Sequence, residues 1–353
     1  MKHIISIITL LTLFMSCNSG QENRCNRADD RSADTGNGIY FWKSQFRLNE
    51  SELKFLEKHD ISRLYVKMFD VALQTDSQED TLALVPIATT RFVTPIPNDL
   101  EVVPVVYITY EAIAHLNNKS EIYIESYAKR IMTRIDAMTS FNEITNIREV
   151  QLDCDWTSST FWTYHRLCKS VRRLLKLKGR QLSITLRLHQ MDDMNMPDAD
   201  RGVLMLYNTG SFKNPDCTNS ILSHNDAEPY IRKHNIPFPV DYAYPTYSWN
   251  LMYRNNEFKS IVRNIDLTDS LTFRKSDYNK YIVRNDTVIS RVQFNKGDVI
   301  RHEASEFREI ERVKSDLSRY HDMKNSRQII YHLDSANLSN YTDDEIKYML
   351  ISY

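Results

Sequence analysis

The sequence predicts an α/β protein whose strands close into a (β/α)8 barrel of the TIM type. Three observations predict it. Short runs of β-branched and aromatic residues alternate with longer runs whose apolar residues recur at helical spacing, the pattern of βαβ units and a parallel sheet. Eight strand-like runs follow Gly38, the number that a closed barrel takes. Neither G-x-G-x-x-G nor G-x-x-x-x-G-K-[ST] occurs, so no nucleotide-binding loop points to the open doubly wound sheet, which stands as the rival arrangement.

The elements run as follows. G-I-Y-F-W at 38–42 is a first strand, and Asn49 and Ser51 are capping candidates for a helix through His59. R-L-Y-V-K-M-F-D-V at 63–71 and V-V-P-V-V-Y-I-T-Y at 102–110 are the second and third strands. A helix starts near Ser120 and runs to about Thr139, with Ile122, Ile124, Tyr127, Ile131, Ile135 and Met138 at helical spacing. E-V-Q-L-D-C-D-W at 149–156 is the fourth strand, and Ser158–Lys178 a helix whose basic C-terminal end suits its dipole. L-S-I-T-L-R-L-H at 182–189, G-V-L-M-L-Y-N at 202–208, V-D-Y-A-Y at 240–244 and Q-I-I-Y-H-L-D at 328–334 complete the eight, before a terminal helix near Thr342–Leu350. Between the seventh and eighth strands, residues of about 266–304 have hairpin character, with a turn expected at Asn285-Asp286, and a charged helix at Ser305–Tyr320 returns to the barrel.

Composition narrows the function classes. With 42% hydrophobic and 26% charged residues the chain is globular in composition, and its 353 residues can hold one large domain or two ordinary ones. A formal net charge of -1 argues against nucleic acid as a partner. Seven glycines leave little room for phosphate loops, whereas twenty tyrosines suit a surface that stacks on sugars or peptides and equally an ordinary core. No cofactor motif is present, and the cysteines at 25, 154, 168 and 217 have no metal or disulfide spacing.

The N-terminus has its own logic. Lys2 and His3 precede an apolar run, Ile4–Met15, too short to span a bilayer as a helix of ~20 residues. The F-M-S-C that ends it resembles a bacterial lipoprotein signal, with Phe14 in place of the usual Leu. That resemblance implies a signal peptide at 1–16, lipidation at Cys17, a flexible polar tether at 17–37, a barrel domain at 38–353, and a lipid-anchored place in the bacterial cell envelope, on the periplasmic or cell-surface side of the outer membrane. A plain secretory signal or a short membrane anchor is the alternative.

Strand alternation assigns the faces. The fourth strand sets Val150, Leu152, Cys154 and Trp156 against Glu149, Gln151, Asp153 and Asp155; the fifth sets Leu182, Ile184, Leu186 and Leu188 against Ser183, Thr185, Arg187 and His189. Helices cover the outside of such a barrel, so the polar faces point inward. Asp153, Asp155, Arg187 and His189 then meet at the C-terminal strand ends, where barrel enzymes keep their sites. An Arg187–Asp153 pair that merely holds the barrel top is the structural alternative. Tyr207 and Asn208 end strand six; Asp241 and Tyr244 lie on strand seven, with Trp249 just beyond; Lys67 and Asp70 end strand two. Polar groups with Tyr and Trp around one mouth fit a glycan or another small polar ligand, and Trp156 and Trp249 are the stacking candidates, with packing under the helices the equal alternative for Trp156.

The runs L-Y-V-K-M-F-D-V, Q-L-D-C-D-W-T, S-I-T-L-R-L-H-Q, L-M-L-Y-N-T-G and Y-P-T-Y-S-W resemble a family of bacterial lipoproteins with glycoside-hydrolase-like barrels. The resemblance covers most of 38–353 apart from the insertion. More distantly, the strand-four run resembles the D-x-x-D-x-D-x-E signature of family 18 glycoside hydrolases. Asp153 and Asp155 match its second and third aspartates, while Val150 stands at the first and Thr157 at the catalytic glutamate. The resemblance implies a glycoside hydrolase that lacks its usual proton donor, since a threonine cannot act as a general acid near neutral pH. One expectation is therefore a hydrolase in which Asp153 and Asp155 form the acid/base pair, mutual repulsion raising one pKa, with His189 as an alternative acid and Arg187, Asn208 and Tyr244 orienting substrate. A second is a glycan-binding envelope lipoprotein without chemistry. A third is a cation held by Asp153, Asp155, His189 and Asp241, which no ligand motif supports.

Overall fold

The computed structural model describes residues 36–352 except 77–80, 193–194 and 234–237. The expected signal peptide, Cys17, Cys25 and the expected tether as far as residue 35 lie outside the described residues.

Eight parallel strands form the barrel: β1 (Gly38–Phe41), β2 (Arg63–Asp76), β3 (Glu101–Ile108), β4 (Glu149–Cys154), β5 (Gln181–Arg187), β6 (Arg201–Met205), β7 (Val240–Pro245) and β8 (Gln328–Tyr331). Each pairs with its neighbour in chain order, and β1 bonds to both β8 and β2, which closes the ring. Closure leaves no bare edge and decides against the open sheet. Beyond the barrel, β2 continues as a hairpin with Thr81–Ile87.

The helices are α1 (Glu50–Lys58), α2 (Tyr110–Leu116), α3 (Glu121–Phe141), α4 (Phe161–Lys176), α5 (His224–Lys233), α6 (Phe307–Tyr320), α7 (Ser335–Leu338) and α8 (Asp343–Leu350). Asn49 caps α1 and Thr342 caps α8, each in a capping box with the glutamate three residues on. Ser120 caps α3 as its sequence predicts. The outward faces of β4 and β5, from Val150 to Leu186, are fully buried in the core beneath the helices.

The floor of the barrel, at the N-terminal strand ends, is a layer of buried charge. Arg63 makes a two-pronged contact with Glu101, at 3.1 and 3.0 Å. Arg327 meets Glu149 at 2.5 Å, and Arg201 meets Asp241 at 2.6 Å. Pairing offsets the several kcal/mol, roughly, that each ion loses on leaving water.

The excursion between β7 and β8 is larger than its sequence suggests. It starts at Ser248 rather than near 266, because Ser248–Arg254 pairs with Val299–Ala304 across a long loop closure that no local pattern announces. The sheet runs 257–262, 248–254, 299–304, 280–283, 273–275 and has a small core of its own, with Met252, Val262, Phe273, Val283, Phe294 and Ile300. The expected turn at Asn285-Asp286 is displaced: the tight hairpin joins Thr287–Ile289 to Val292–Phe294 through Ser290 and Arg291, at φ 50° and 68°.

Candidate functional site

The inward faces of β4 and β5 build a polar column from floor to mouth. Above Glu149, Tyr40 Oη donates to Gln151 Oε1 at 2.7 Å, and Gln151 Nε2 donates to Ser183 Oγ at 3.2 Å. One layer higher, Asp153 Oδ1 accepts from Thr185 Oγ1 at 2.5 Å and from Arg187 Nη2 at 3.0 Å. Asp153 is 3% exposed, and its two partners, Thr185 and Arg187, are residues that alternation places on the facing side of β5. The Arg187 guanidinium also sits 5.7 Å from the Tyr207 ring centre, and its charge is held firmly by Asp153 although burial opposes it.

Asp155 and His189 form a second, separate pair. β4 ends at Cys154 and β5 at Arg187, and His189 lies in a short 3-10 turn. Their side chains meet at 3.4 Å and both are more than half exposed. The His189 contact holds the Asp155 carboxyl below its ordinary range against partial desolvation. Repulsion from Asp153 does not set it, so Asp155 is not the raised member expected of an Asp153–Asp155 dyad.

The like-charge neighbour of Asp153 is Asp70. Strict alternation along β2 would turn Lys67 and Asp70 to opposite faces. A bulge intervenes: Lys67 registers with Val105 but Phe69 with Val106, leaving Met68 as the extra residue. The bulge re-aims the strand, as bulges near sites do. Phe69 then faces outward, under Arg134 of α3 at 5.1 Å, and Asp70 shares the interior with Lys67, 3.1 Å from its Nζ. Burial raises the Asp70 carboxyl above its usual value, Lys67 opposes the rise, and the Asp153 charge adds to it.

Aromatic rings wall the mouth. Tyr331, at the end of β8, lies 4.8 Å from Tyr207, 5.3 Å from Tyr40 and 5.8 Å from Trp42, centre to centre. Tyr247 touches Tyr207, Tyr331 and Trp249. Trp42, Tyr331 and Tyr40 escaped the sequence reading because each sits in a run that reads as plain strand; their shared inward parity with Asp153 was the available signal.

The other predicted residues divide. Tyr207 points inward, and Asn208, in the left-handed region at φ 55°, accepts from Tyr247 Oη at 3.2 Å on the rim. Trp249 stays at the rim, but its Nε1 donates to Glu303 Oε2 at 2.7 Å. That carboxylate also accepts from Ser220 N and Oγ, and its other oxygen meets Arg301 Nε at 2.7 Å, clasping the excursion to the segment after β6. Asp241 is corrected: it is the second residue of β7 and belongs to the floor, where burial pushes its carboxyl up to about 6 against Arg201 and Arg327. Tyr244 is corrected too: it faces the helix layer, its ring 5.4 Å from Lys314 of α6 and its hydroxyl donating to Gln328. Trp156 is 1% exposed and packs edge-on against Phe161 of α4, so it is no stacking platform. Thr157 is exposed, its hydroxyl 2.9 Å from that of Ser159.

With Asp241 at the floor, the expected four-residue cation set does not assemble. Among the described residues, His224, Glu228 and Asp316 bring ligand atoms within 4.8 Å of one another, but between α5 and α6. A hollow of about 530 Å³ lined by Leu48, Ile96, Leu100 and Asn146 contains none of the mouth residues.

No family model matches the sequence, and no curated protein matches it. Solved structures do match the fold. The C-terminal domain of a putative chitinase from Desulfitobacterium hafniense is 9% identical, with 90% of this chain and 99% of that one covered at a TM-score of 0.52. The spore cortex-lytic enzyme SleL of Bacillus cereus is 13% identical over 87% of this chain and 74% of that one, at 0.45. The GH18 chitinase ChiB of Flavobacterium johnsoniae is 12% identical over 86% and 89%, at 0.43. The likeness to the first of these is one of fold, the closed parallel α/β barrel.

Proposed function

We propose that this protein is a glycoside hydrolase working on an envelope or environmental glycan, held at the membrane through a lipid on Cys17. The observation that carries the reading is Asp153, seated by Thr185 and Arg187 at the C-terminal end of β4 beneath a wall of tyrosines. A carboxylate fixed in position, a guanidinium for hydroxyl groups and flat apolar faces are what a sugar ring and its hydrolysis need. The names of the structural neighbours make chitin oligosaccharides the first substrates to try.

The test is a panel of glycans, chitotetraose among them, screened with the soluble domain 36–353 for binding and for reducing-end release. Release that Asp153→Asn abolishes supports the reading. Binding without release across the panel favours the second one, a glycan-binding protein without chemistry, for which Thr157 at the expected glutamate position speaks. The anchor is tested separately: metabolic palmitate labelling of the full chain that Cys17→Ala abolishes supports it, and labelling that survives the substitution refutes it.

A further inference from the structure

We propose that Asp70 is the proton donor of the mouth, with Asp153 as the base facing it. The inference rests on the hydrolase reading and supplies the acid that Thr157 cannot be.

Position carries it first. Asp70 registers with Tyr107 on β3, and Tyr107 registers with Asp153 on β4. The three residues lie on one line across adjacent strands, and the bulge at Met68 is what turns Asp70 into that line. Without the extra residue Asp70 would lie under the helices. Strands sit ~4.8 Å apart, so the backbones that carry the two aspartates are ~9.6 Å apart around the barrel wall. Side chains turned toward the axis of a curved wall converge from there. That spacing suits the ~6.5–9.5 Å of an inverting pair, which leaves room for a water, better than the ~5 Å of a retaining pair.

Environment carries it second. The Asp70 side chain is 17% exposed. Burial raises its carboxyl above the ordinary carboxylate value, the Asp153 charge adds to the rise and Lys67 opposes it. Asp155 is the wrong candidate: it is more than half exposed and held low by His189. Asp153, fixed in place by Thr185 and Arg187 on its Oδ1, is the other carboxylate of this line and takes the part of the base.

The step balances without any further reactant. Water attacks the anomeric carbon and the carbon–oxygen bond to the leaving sugar breaks. Asp153 takes a proton from the water as Asp70 gives its own to the departing oxygen. The new hydroxyl is on the opposite face of the ring, and solvent returns both carboxyls to their starting states.

The experiment compares wild type and Asp70→Asn on chitotetraose and on 2,4-dinitrophenyl chitobioside, whose leaving group departs without a proton. The expected result is a loss of at least about 100-fold on chitotetraose, a loss of under about tenfold on the activated glycoside, unchanged chitotetraose affinity, and disappearance of the alkaline limb of the pH–rate profile. Proton NMR of the first wild-type product should give the inverted anomer. Full activity of Asp70→Asn, equal losses on both substrates, or a retained anomer overturns the assignment and leaves the hydrolase reading standing. A wild type inert on every glycan of the panel overturns both. An Asp70→Glu variant that recovers part of the rate, with the melting temperature of wild type, excludes misfolding as the cause of the loss.

Discussion

Arg327 and Glu149 meet at 2.5 Å across the barrel floor, 178 residues apart in the chain. Removing the glutamate's charge takes from a buried guanidinium its nearest carboxylate. Glu149→Gln is expected to cost ~3–5 kcal/mol in urea denaturation while leaving glycan affinity unchanged, because the Gln151 layer separates the floor from Asp153 and the mouth. A glycan affinity that falls with stability would contradict that separation.

Two aromatic residues distinguish mouth from wall. Trp42→Ala should weaken glycan binding about tenfold, the ~1.4 kcal/mol typical of a central contact, by titration calorimetry. Tyr244→Phe should leave binding untouched and cost about 1 kcal/mol of stability through its lost bond to Gln328. The reverse pattern would put Tyr244 in the site and Trp42 outside it.

His189→Ala frees the Asp155 carboxyl to rise toward its ordinary range, since His189 is what holds it down. Both side chains are more than half exposed, so the stability change should stay under ~1 kcal/mol. Glycan hydrolysis should fall by no more than roughly threefold. A loss of 100-fold or more would return His189 to the catalytic role that its sequence suggests.

Acid should loosen the excursion before the barrel. Burial alone would raise Asp298, but Arg254 grips both of its oxygens at 2.8 Å and holds it below its ordinary value. A carboxyl whose folded pKa is depressed adds stability that is complete above its unfolded pKa of about 3.9 and disappears as pH falls through the lower folded value. Hydrogen exchange in 248–304 should therefore accelerate selectively below about pH 4. In Asp298→Asn, protection there should be weaker already at pH 7 and should lose this step. Uniform acceleration throughout the barrel would refute the local account.

Much of this was legible in the sequence. Period-two alternation brought Asp153 and Arg187 to one face because both faces of β4 and β5 are buried, which keeps parity strict. Asp241 was misplaced because alternation gives a side chain's face but not its height along the barrel. Tyr244 was misplaced because a buried Tyr with a partner for its hydroxyl looks, in sequence, like one lining a cavity. The inward turn of Asp70 depends on one unpaired residue, Met68, and β2 alone does not reveal that its neighbour skips a position there. The excursion's true start was hidden for the same reason: its first strand is defined by a partner some fifty residues downstream.

The Glu303 clasp has a kinetic corollary. One buried carboxylate takes a backbone amide, a hydroxyl, an indole and a guanidinium from three separate stretches of chain, so the rim that carries Trp249 and Tyr247 cannot swing without breaking several bonds at once. Such a rim behaves as standing masonry, not as a door. Oligosaccharide association should then follow a single exponential whose rate stays proportional to concentration, with no plateau from a gating step.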